Sequence, residues 1–283
     1  MRRSRKKILI LGSSGKIGRD LYELFKSDFS VNGTYFEKKD SKFGDYKLDL
    51  LNIDHLKKII RKVHPCLVIN ATGIASPDKC EQDKKMAYLA NYKIAENVAI
   101  ICGKKKIPFV YFSTDYVFSG DRKNYIEGDT PNPINYYGLT KLLGEVVSRD
   151  GIVLRFSKVI FLNKFRDPFF LEIIGKDSLG LDNFRIRKFL WTYDLYRAMK
   201  RIIGLNIKKG LYHVCGDEFL TKYQLAKLFM KSEGLDKKIR PVRAREIALR
   251  PRVAVMSNKK IKKLNVKFTP LKEILGSKIF KNI

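Results

Sequence analysis

Glutamine is nearly missing from this 283-residue chain, which has only Gln82 and Gln224. Carboxylates are scarce too, with 29 Asp and Glu against 58 Lys and Arg. High lysine with little glutamine is one trait of heat-adapted proteins, but glutamate does not rise with it here. Cysteine is limited to Cys66, Cys80, Cys102 and Cys215, with no C-x-x-C among them. That scatter excludes a disulfide framework and a zinc ribbon, and predicts free thiols in a reducing cytoplasm. The three histidines, His55, His64 and His213, show no metal-ligand spacing, so no metal is expected. His213 lies in the apolar run Leu211-Tyr212-His213-Val214 and reads as structural. No stretch approaches the ~20 apolar residues of a membrane span. The basic start, residues 1–7, leads into an apolar run of only strand length, so it reads as the approach to a first strand rather than a signal peptide.

The formal net charge is +29. A basic chain invites a nucleic-acid reading. Here the bases are dispersed as pairs and triples, such as Lys57-Lys58, Lys104-Lys105-Lys106 and Lys259-Lys260, with no nucleic-acid motif beside them. Specific nucleic-acid binding is therefore not expected. A positive field does favour small anionic ligands, and dinucleotides and sugar nucleotides are both anionic.

Apolar runs alternate with helical periods along the first half. Strands are predicted at 7–11, 31–36, 67–70, 109–112 and 152–156, and helices at 16–26, 54–63, 86–102 and 137–149. Repeated β-α units of this kind predict an α/β fold, a doubly wound parallel Rossmann sheet. Later helices are predicted at 194–203, 221–233 and 271–280, with a strand at 211–215 and an irregular basic stretch at 239–256. Residues 1–156 form the expected dinucleotide-binding core. Residues 157–283 complete that core and add a small C-terminal substrate lobe.

The first strand runs into Gly12-Ser13-Ser14-Gly15-Lys16-Ile17-Gly18. Gly12 permits the turn, Gly15 lets the backbone approach a pyrophosphate, and Gly18 lets the helix pack close. The helix start then presents unpaired N–H groups and a positive dipole end to the phosphates. The spacing is G-x-x-G-x-x-G, where the common dinucleotide fingerprint is G-x-G-x-x-G. Asn70-Ala71-Thr72-Gly73 and Ser113-Thr114-Asp115 follow other strand ends, so all three segments should gather on one sheet edge.

Tyr137 and Lys141 stand four apart, on one face of a predicted helix. An ammonium beside a phenol stabilises the phenolate. Such a Tyr can pass a proton to a carbonyl oxygen as hydride arrives at its carbon. Thr114 can hold the same oxygen. Tyr-x-x-x-Lys also occurs at Tyr22/Lys26, Tyr35/Lys39, Tyr196/Lys200 and Tyr223/Lys227. The Pro-Asn-Pro turn before it and the strand ending in Ser-Thr-Asp single out Tyr137.

Taken together, Gly12/Gly15/Gly18, Asp49-Leu50, Asn70-Ala71, Asp78-Lys79-Cys80-Glu81, Asn91, Ser113-Thr114-Asp115-Tyr116-Val117-Phe118, Pro133-x-Asn135-x-Tyr137-Gly138-x-x-Lys141 and Arg250-Pro251 resemble the dTDP-4-dehydrorhamnose reductase family. That family belongs to the extended short-chain dehydrogenases/reductases, and the resemblance covers nearly the whole chain. It implies reduction of a 4-keto-6-deoxy sugar nucleotide, a step of dTDP-rhamnose and carbohydrate biosynthesis. It implies Tyr137 as proton donor, Lys141 as its tuning cation and ribose ligand, and Thr114 with Asp115 at the substrate. Gly12, Ser14, Gly15, Lys16, Ile17 and Gly18 would follow the pyrophosphate, with Ala71, Thr72 and Gly73 on the next strand end. Asp49 and Leu50 would flank the adenine as an acceptor and an apolar ledge; a helix-preceding cap is the competing reading of Asp49. Arg250 and Lys158 are the candidate cations for the substrate diphosphate. The chain departs from the family at Lys158 and Val159, where an aromatic is usual, which leaves the sugar and nucleotide open.

Cofactor choice turns on Glu37-Lys38-Lys39 at the end of the second strand. An acid there favours NAD, and a base favours NADP. Two cations in a positive field point to NADPH, with NADH the alternative. The alternative function is a non-catalytic NAD(P)-binding regulatory subunit resembling that of methionine adenosyltransferase. A homodimer is compatible with either.

Overall fold

Strands that are apolar on both faces need helices on both sides, and that requirement organises this molecule. The computed structural model describes residues 5–37, 42–243 and 246–276. Its 7-stranded sheet runs, edge to edge, Gly210–His213, Ile152–Phe156, Phe109–Thr114, Leu67–Asn70, Lys7–Leu11, Ser30–Tyr35 and Tyr46–Lys47. Every pairing in it is parallel. Strand order reverses between Lys7–Leu11 and Leu67–Asn70, and ligands bind such sheets outside the carboxyl ends at that switch.

Alternation along the first strand divides the core. Ile8 and Ile10 face helices Lys16–Phe25 and Thr192–Gly204, packing with Leu21, Phe25, Leu195 and Met199. Leu9 and Leu11 face the other way, onto Leu56 and Ile60 of helix Ile53–Val63 and onto Val98 and Ile101 of helix Ile94–Lys105. A separate core, with Ile160, Phe170, Trp191, Leu225, Phe229 and Leu275, builds the C-terminal lobe. Buried Asp20 of the first helix ties the two together, accepting hydrogen bonds from the Leu162 N–H (2.8 Å) and the Thr192 hydroxyl (2.6 Å).

Several elements differ from the sequence reading. The expected 86–102 helix is three pieces, Lys84–Tyr88, a π-helical turn Leu89–Lys93, and Ile94–Lys105. Its wider turn aims Asn91 inward, where the carboxamide accepts from the Ile74 N–H (2.8 Å) and donates to the Thr140 hydroxyl (3.1 Å). The irregular basic stretch contains a strand, Lys238–Val242, parallel to Ser178–Asp182. The strand expected at 211–215 is Gly210–His213, and it completes the main sheet beside Ile152–Phe156. The last helix is described as Leu271–Gly276, so the rest of its expected span lies outside the described residues. Among the described residues no helix is long and apolar enough to cross a membrane.

Candidate active site

The glycine turn has the geometry that its spacing predicts. Gly12 sits at φ 76°, and a Cβ there would lie 2.8 Å from Thr72 Cγ2. A Cβ on Gly18 would come within 2.3 Å of the Gly12 carbonyl oxygen, so only glycine lets the helix cross the strand end this closely. Gly15 is the N-cap of helix Lys16–Phe25 and supplies no side-chain cap. The first-turn N–H groups are therefore left for an anion. A Cβ on Gly15 would meet only the Gly12 carbonyl oxygen, at 3.2 Å, and would otherwise project into open space. A dinucleotide pyrophosphate fits that cradle. Ser14 and Lys16 line a cavity of about 280 Å³ in front of it, with Asn163 and Arg166 opposite. Ala71 adjoins the turn, its N–H donating to the Leu11 carbonyl at 3.0 Å. Thr72 folds back onto Asn70, with N–H and hydroxyl both donating to Oδ1 (3.2 and 2.6 Å). Gly73 has φ 129°, and a Cβ on it would be 2.7 Å from Asn91 Oδ1.

Helix Tyr136–Val147 starts where Asn135 Oδ1 accepts from the Gly138 N–H (2.7 Å). A Cβ on Gly138 would lie 2.2 Å from the Tyr116 carbonyl oxygen. That contact presses the helix start against the end of strand Phe109–Thr114. Tyr137 consequently meets Thr114 through a hydrogen bond and packs edge-on against Tyr116, with ring centroids 5.4 Å apart. Both Thr114 and Tyr137 line a cavity of about 310 Å³ whose wall includes Ile17 from the glycine-turn helix. Burial holds the Tyr137 phenol above its ordinary value, and the hydrogen bond with Thr114 works the other way.

Lys141 lies on the same helix face as Tyr137 but one turn deeper. It is buried, and its Nζ rests 4.1 Å from the centre of the Tyr111 ring. It does not line that cavity, although it was expected to open onto the cleft beside Tyr137. Burial pushes its ammonium down to about 7, with the Glu145 charge opposing. The competing pairs Tyr22/Lys26, Tyr196/Lys200 and Tyr223/Lys227 are lysines laid over tyrosine rings, away from this cavity. Lys39 of the Tyr35/Lys39 pair, like Lys38, lies outside the described residues.

Asp115, Lys158 and Arg250 all line the cavity with Tyr137. Asp115 is 2% exposed and accepts from the Ser157 hydroxyl (2.8 Å) and Arg187 Nη1 (3.3 Å). Burial raises its carboxyl, and Arg187 opposes the shift. Arg187 also donates to the Pro251 carbonyl (2.8 Å) and lies over the Tyr116 ring. Both terminal nitrogens of Arg250 are engaged, Nη2 on Asp78 Oδ2 at 2.7 Å and Nη1 on Glu246, while its buried Nε has no hydrogen-bond partner among the described residues. Burial pushes the Asp78 carboxyl up, but the Ala248 N–H and Arg250 outweigh it and hold the group below its usual value.

One of the two expected adenine neighbours is placed otherwise. Leu50 is 6% exposed and packs in the core with Leu56 and Val98, so its side chain offers no ledge. Asp49 Oδ1 accepts from the Leu51 N–H at 2.9 Å in a turn ahead of helix Ile53–Val63, and the cap of that helix is Asn52, whose side chain accepts from the Asp54 and His55 N–H groups. Sequence reasoning missed Arg187, Lys222 and Glu246, because no local motif surrounds them. His213 is fully buried against Phe118, and burial pushes its imidazole down to about 3. Among the described residues no group of three His, Cys, Asp or Glu could hold a metal.

A doubly wound parallel sheet with a glycine turn on its first strand, and Thr114 and Tyr137 at the same edge, place the chain among Rossmann folds of the short-chain dehydrogenase/reductase class. The chain belongs to the RmlD substrate binding domain family, whose sequence model matches residues 6–280. Methionine adenosyltransferase 2 subunit beta of Xenopus tropicalis is 27% identical over 276 residues, covering 87% of this chain and 78% of that one. The dTDP-4-keto-6-deoxy-D-glucose reductase of Streptomyces niveus is 26% identical over 263 residues, covering 88% of each. A crystal structure of dTDP-4-dehydrorhamnose reductase from Bacillus anthracis in complex with NADP superposes with a TM-score of 0.85, at 24% identity over 98% of both chains.

Proposed function

We propose that this protein is an NADPH-dependent reductase of a 4-keto-6-deoxy sugar nucleotide. The observation that carries the reading is one cavity joining Thr114 and Tyr137 to Ile17 of the glycine-turn helix. Residues 12–18, with Ala71, Thr72 and Gly73 beside them, would hold the cofactor, which supplies hydride to the carbonyl carbon. Thr114 binds the carbonyl oxygen through its hydroxyl. Tyr137 delivers its proton to that oxygen, a contribution of roughly 10²–10⁴ in rate. Lys141, one turn below, carries the positive charge that favours the resulting phenolate. NADPH is preferred because a +29 chain attracts its additional phosphate, and because the Bacillus anthracis neighbour carries NADP. NADH is the alternative. Four free cysteines accord with a reducing cytoplasm.

The test is NADPH oxidation against a panel of keto-sugar nucleotides, with Tyr137→Phe as control. Turnover on a 4-keto-6-deoxy sugar nucleotide that collapses in the variant supports the proposal. No turnover on any panel member refutes it. A second reading, a nucleotide-binding regulatory subunit, draws on the Xenopus relative and on the lodging of Lys141 against Tyr111. It predicts NADP binding without turnover.

A further inference from the structure

Cations crowd the wall of the Tyr137 cavity. Lys158, Arg187, Lys222 and Arg250 all line it, against the single carboxylate Asp115. Two of the four are already committed. Arg187 is held by Asp115, and Arg250 is held by Asp78 and by Glu246, which also pairs with Arg185. Lys158 and Lys222 have no hydrogen bond or ion pair among the described residues. The acids nearest in influence to Lys222 are Asp182 and Glu246, and both are bound to Arg185. Burial lowers the Lys222 ammonium, and the charges of Lys158 and Arg250 lower it further. Among the described residues neither lysine is ion-paired: Asp182 and Glu246 act on Lys222, and Asp167 on Lys158, only through space, beside the hydroxyls of Thr114 and Tyr137.

The two lysines come from well-fixed elements. Lys158 starts the strand Lys158–Ile160, which is paired to Arg187–Trp191. Lys222 opens the helix Lys222–Glu233, fixed by a reciprocal capping box between Thr221 and Gln224. The positive end of that helix adds to the field at the same place. We propose that Lys158 and Lys222 form an anion clamp that holds the diphosphate of the sugar-nucleotide substrate, and that Arg250 acts as a latch on the chain over the cavity. The assignment rests on the function proposed above. Two free cations balance the two negative charges of a nucleoside diphosphate ester. Arg250, by contrast, already pairs with Asp78 and Glu246 and would have to leave both to reach a substrate phosphate.

The experiment is calorimetric titration of the whole protein, saturated with NADPH, with dTDP and with UDP. Lys158→Ala/Lys222→Ala should weaken both diphosphates by about a hundredfold, a loss of two charge-assisted contacts. Lys158→Arg/Lys222→Arg should recover most of that affinity, which a merely structural role would not. NADPH affinity, measured separately, should be unchanged in both variants. Wild-type protein that binds neither diphosphate, or an alanine pair that binds both as wild type does, overturns the clamp. Loss of diphosphate binding in Arg250→Ala with the lysines intact and the melting temperature unmoved also overturns it. The reductase reading fails separately: lysine-dependent diphosphate binding without turnover of any keto sugar leaves the clamp standing and removes the enzyme.

Discussion

The two walls of the cavity are held by different forces. The sheet-edge wall, with the glycine turn, Thr114 and Tyr137, is set by backbone. Parallel ladders fix the strand ends, and Gly18 and Gly138 let helices approach within distances that forbid a Cβ. The lobe wall is set by charge. Asp115–Arg187, Asp78–Arg250, Glu246–Arg185 and Asp182–Arg185 connect it to the sheet and to itself. Backbone placement is indifferent to pH and salt, whereas ion pairs respond to pH, and exposed ones to salt as well. The sheet-edge wall should therefore behave as a rigid chemical template and the lobe wall as an adjustable one.

The largest effect expected from this difference is chemical. Tyr137→Phe removes the proton donor from the rigid wall and leaves every backbone contact in place. The rate should fall roughly 10²–10⁴-fold, with melting temperature and NADPH affinity unchanged. Steady-state kinetics beside a thermal melt checks both halves of that statement. A large loss of stability in this variant would mean that the sheet-edge wall also leans on side chains.

On the lobe wall the largest effect should be structural. Arg187→Ala leaves Asp115 buried and unpaired, at a cost of about 3–5 kcal/mol for a broken buried pair. Asp115 is already raised by burial, and losing Arg187 raises it further. A carboxyl with a raised folded pKa contributes stability at low pH that is lost as pH rises through that value. The deficit of Arg187→Ala should thus shrink on acidification. Melts at several pH values would show it, and a deficit independent of pH would shift the explanation to lost packing on Tyr116.

The same division explains what could be read from the sequence. Gly12, Gly15 and Gly18 fall within one turn, and Tyr137 and Lys141 within another, so local spacing exposes them. The lobe contacts are non-local, with Arg187 and Asp115 72 residues apart and Arg250 and Asp78 172 apart. No window along the chain contains both partners. Composition does not help, because an arginine-rich stretch reads the same whether or not its guanidiniums are paired. Arg250 illustrates this: its motif placed it at the cavity, but only the fold reveals that Asp78 and Glu246 already hold it. Leu50 fails for another reason. An apolar residue beside an acid reads equally as ledge or core, and burial alone decides.

Lys141 lies at the boundary between the two kinds of placement, a charge put by the backbone where water does not reach. Burial lowers it to about 7 from 10.5. Between those values the unfolded chain binds the extra proton, so this group opposes folding most at low pH and least as pH rises toward 10.5. Lys141→Met should raise the melting temperature near pH 6 by about 2–4 °C for each kcal/mol recovered, and the gain should fade toward pH 10. A gain equal at both ends would show that the ammonium is not the source.

The smallest effect should come from loosening the latch. Asp78 accepts from the Ala248 N–H at 2.9 Å and from Arg250 at 2.7 Å. Asp78→Asn keeps an oxygen for the N–H and removes the charge. The pair is partly open to solvent, with Asp78 32% exposed, so the loss should be near 1 kcal/mol, or about 2–4 °C in melting temperature. Asp78 is held below its ordinary value. Its contribution is present above the unfolded pKa near 3.8 and is lost as pH falls through the lower folded value. Wild type and variant should therefore converge in acid and differ at neutral pH. High salt should narrow the neutral-pH gap, because this partly exposed pair is partly screened. If the gap instead persists at 1 M salt, the strap over the cavity is held by the Ala248 and Asn135 hydrogen bonds rather than by charge, and the lobe wall is less adjustable than its ion pairs suggest.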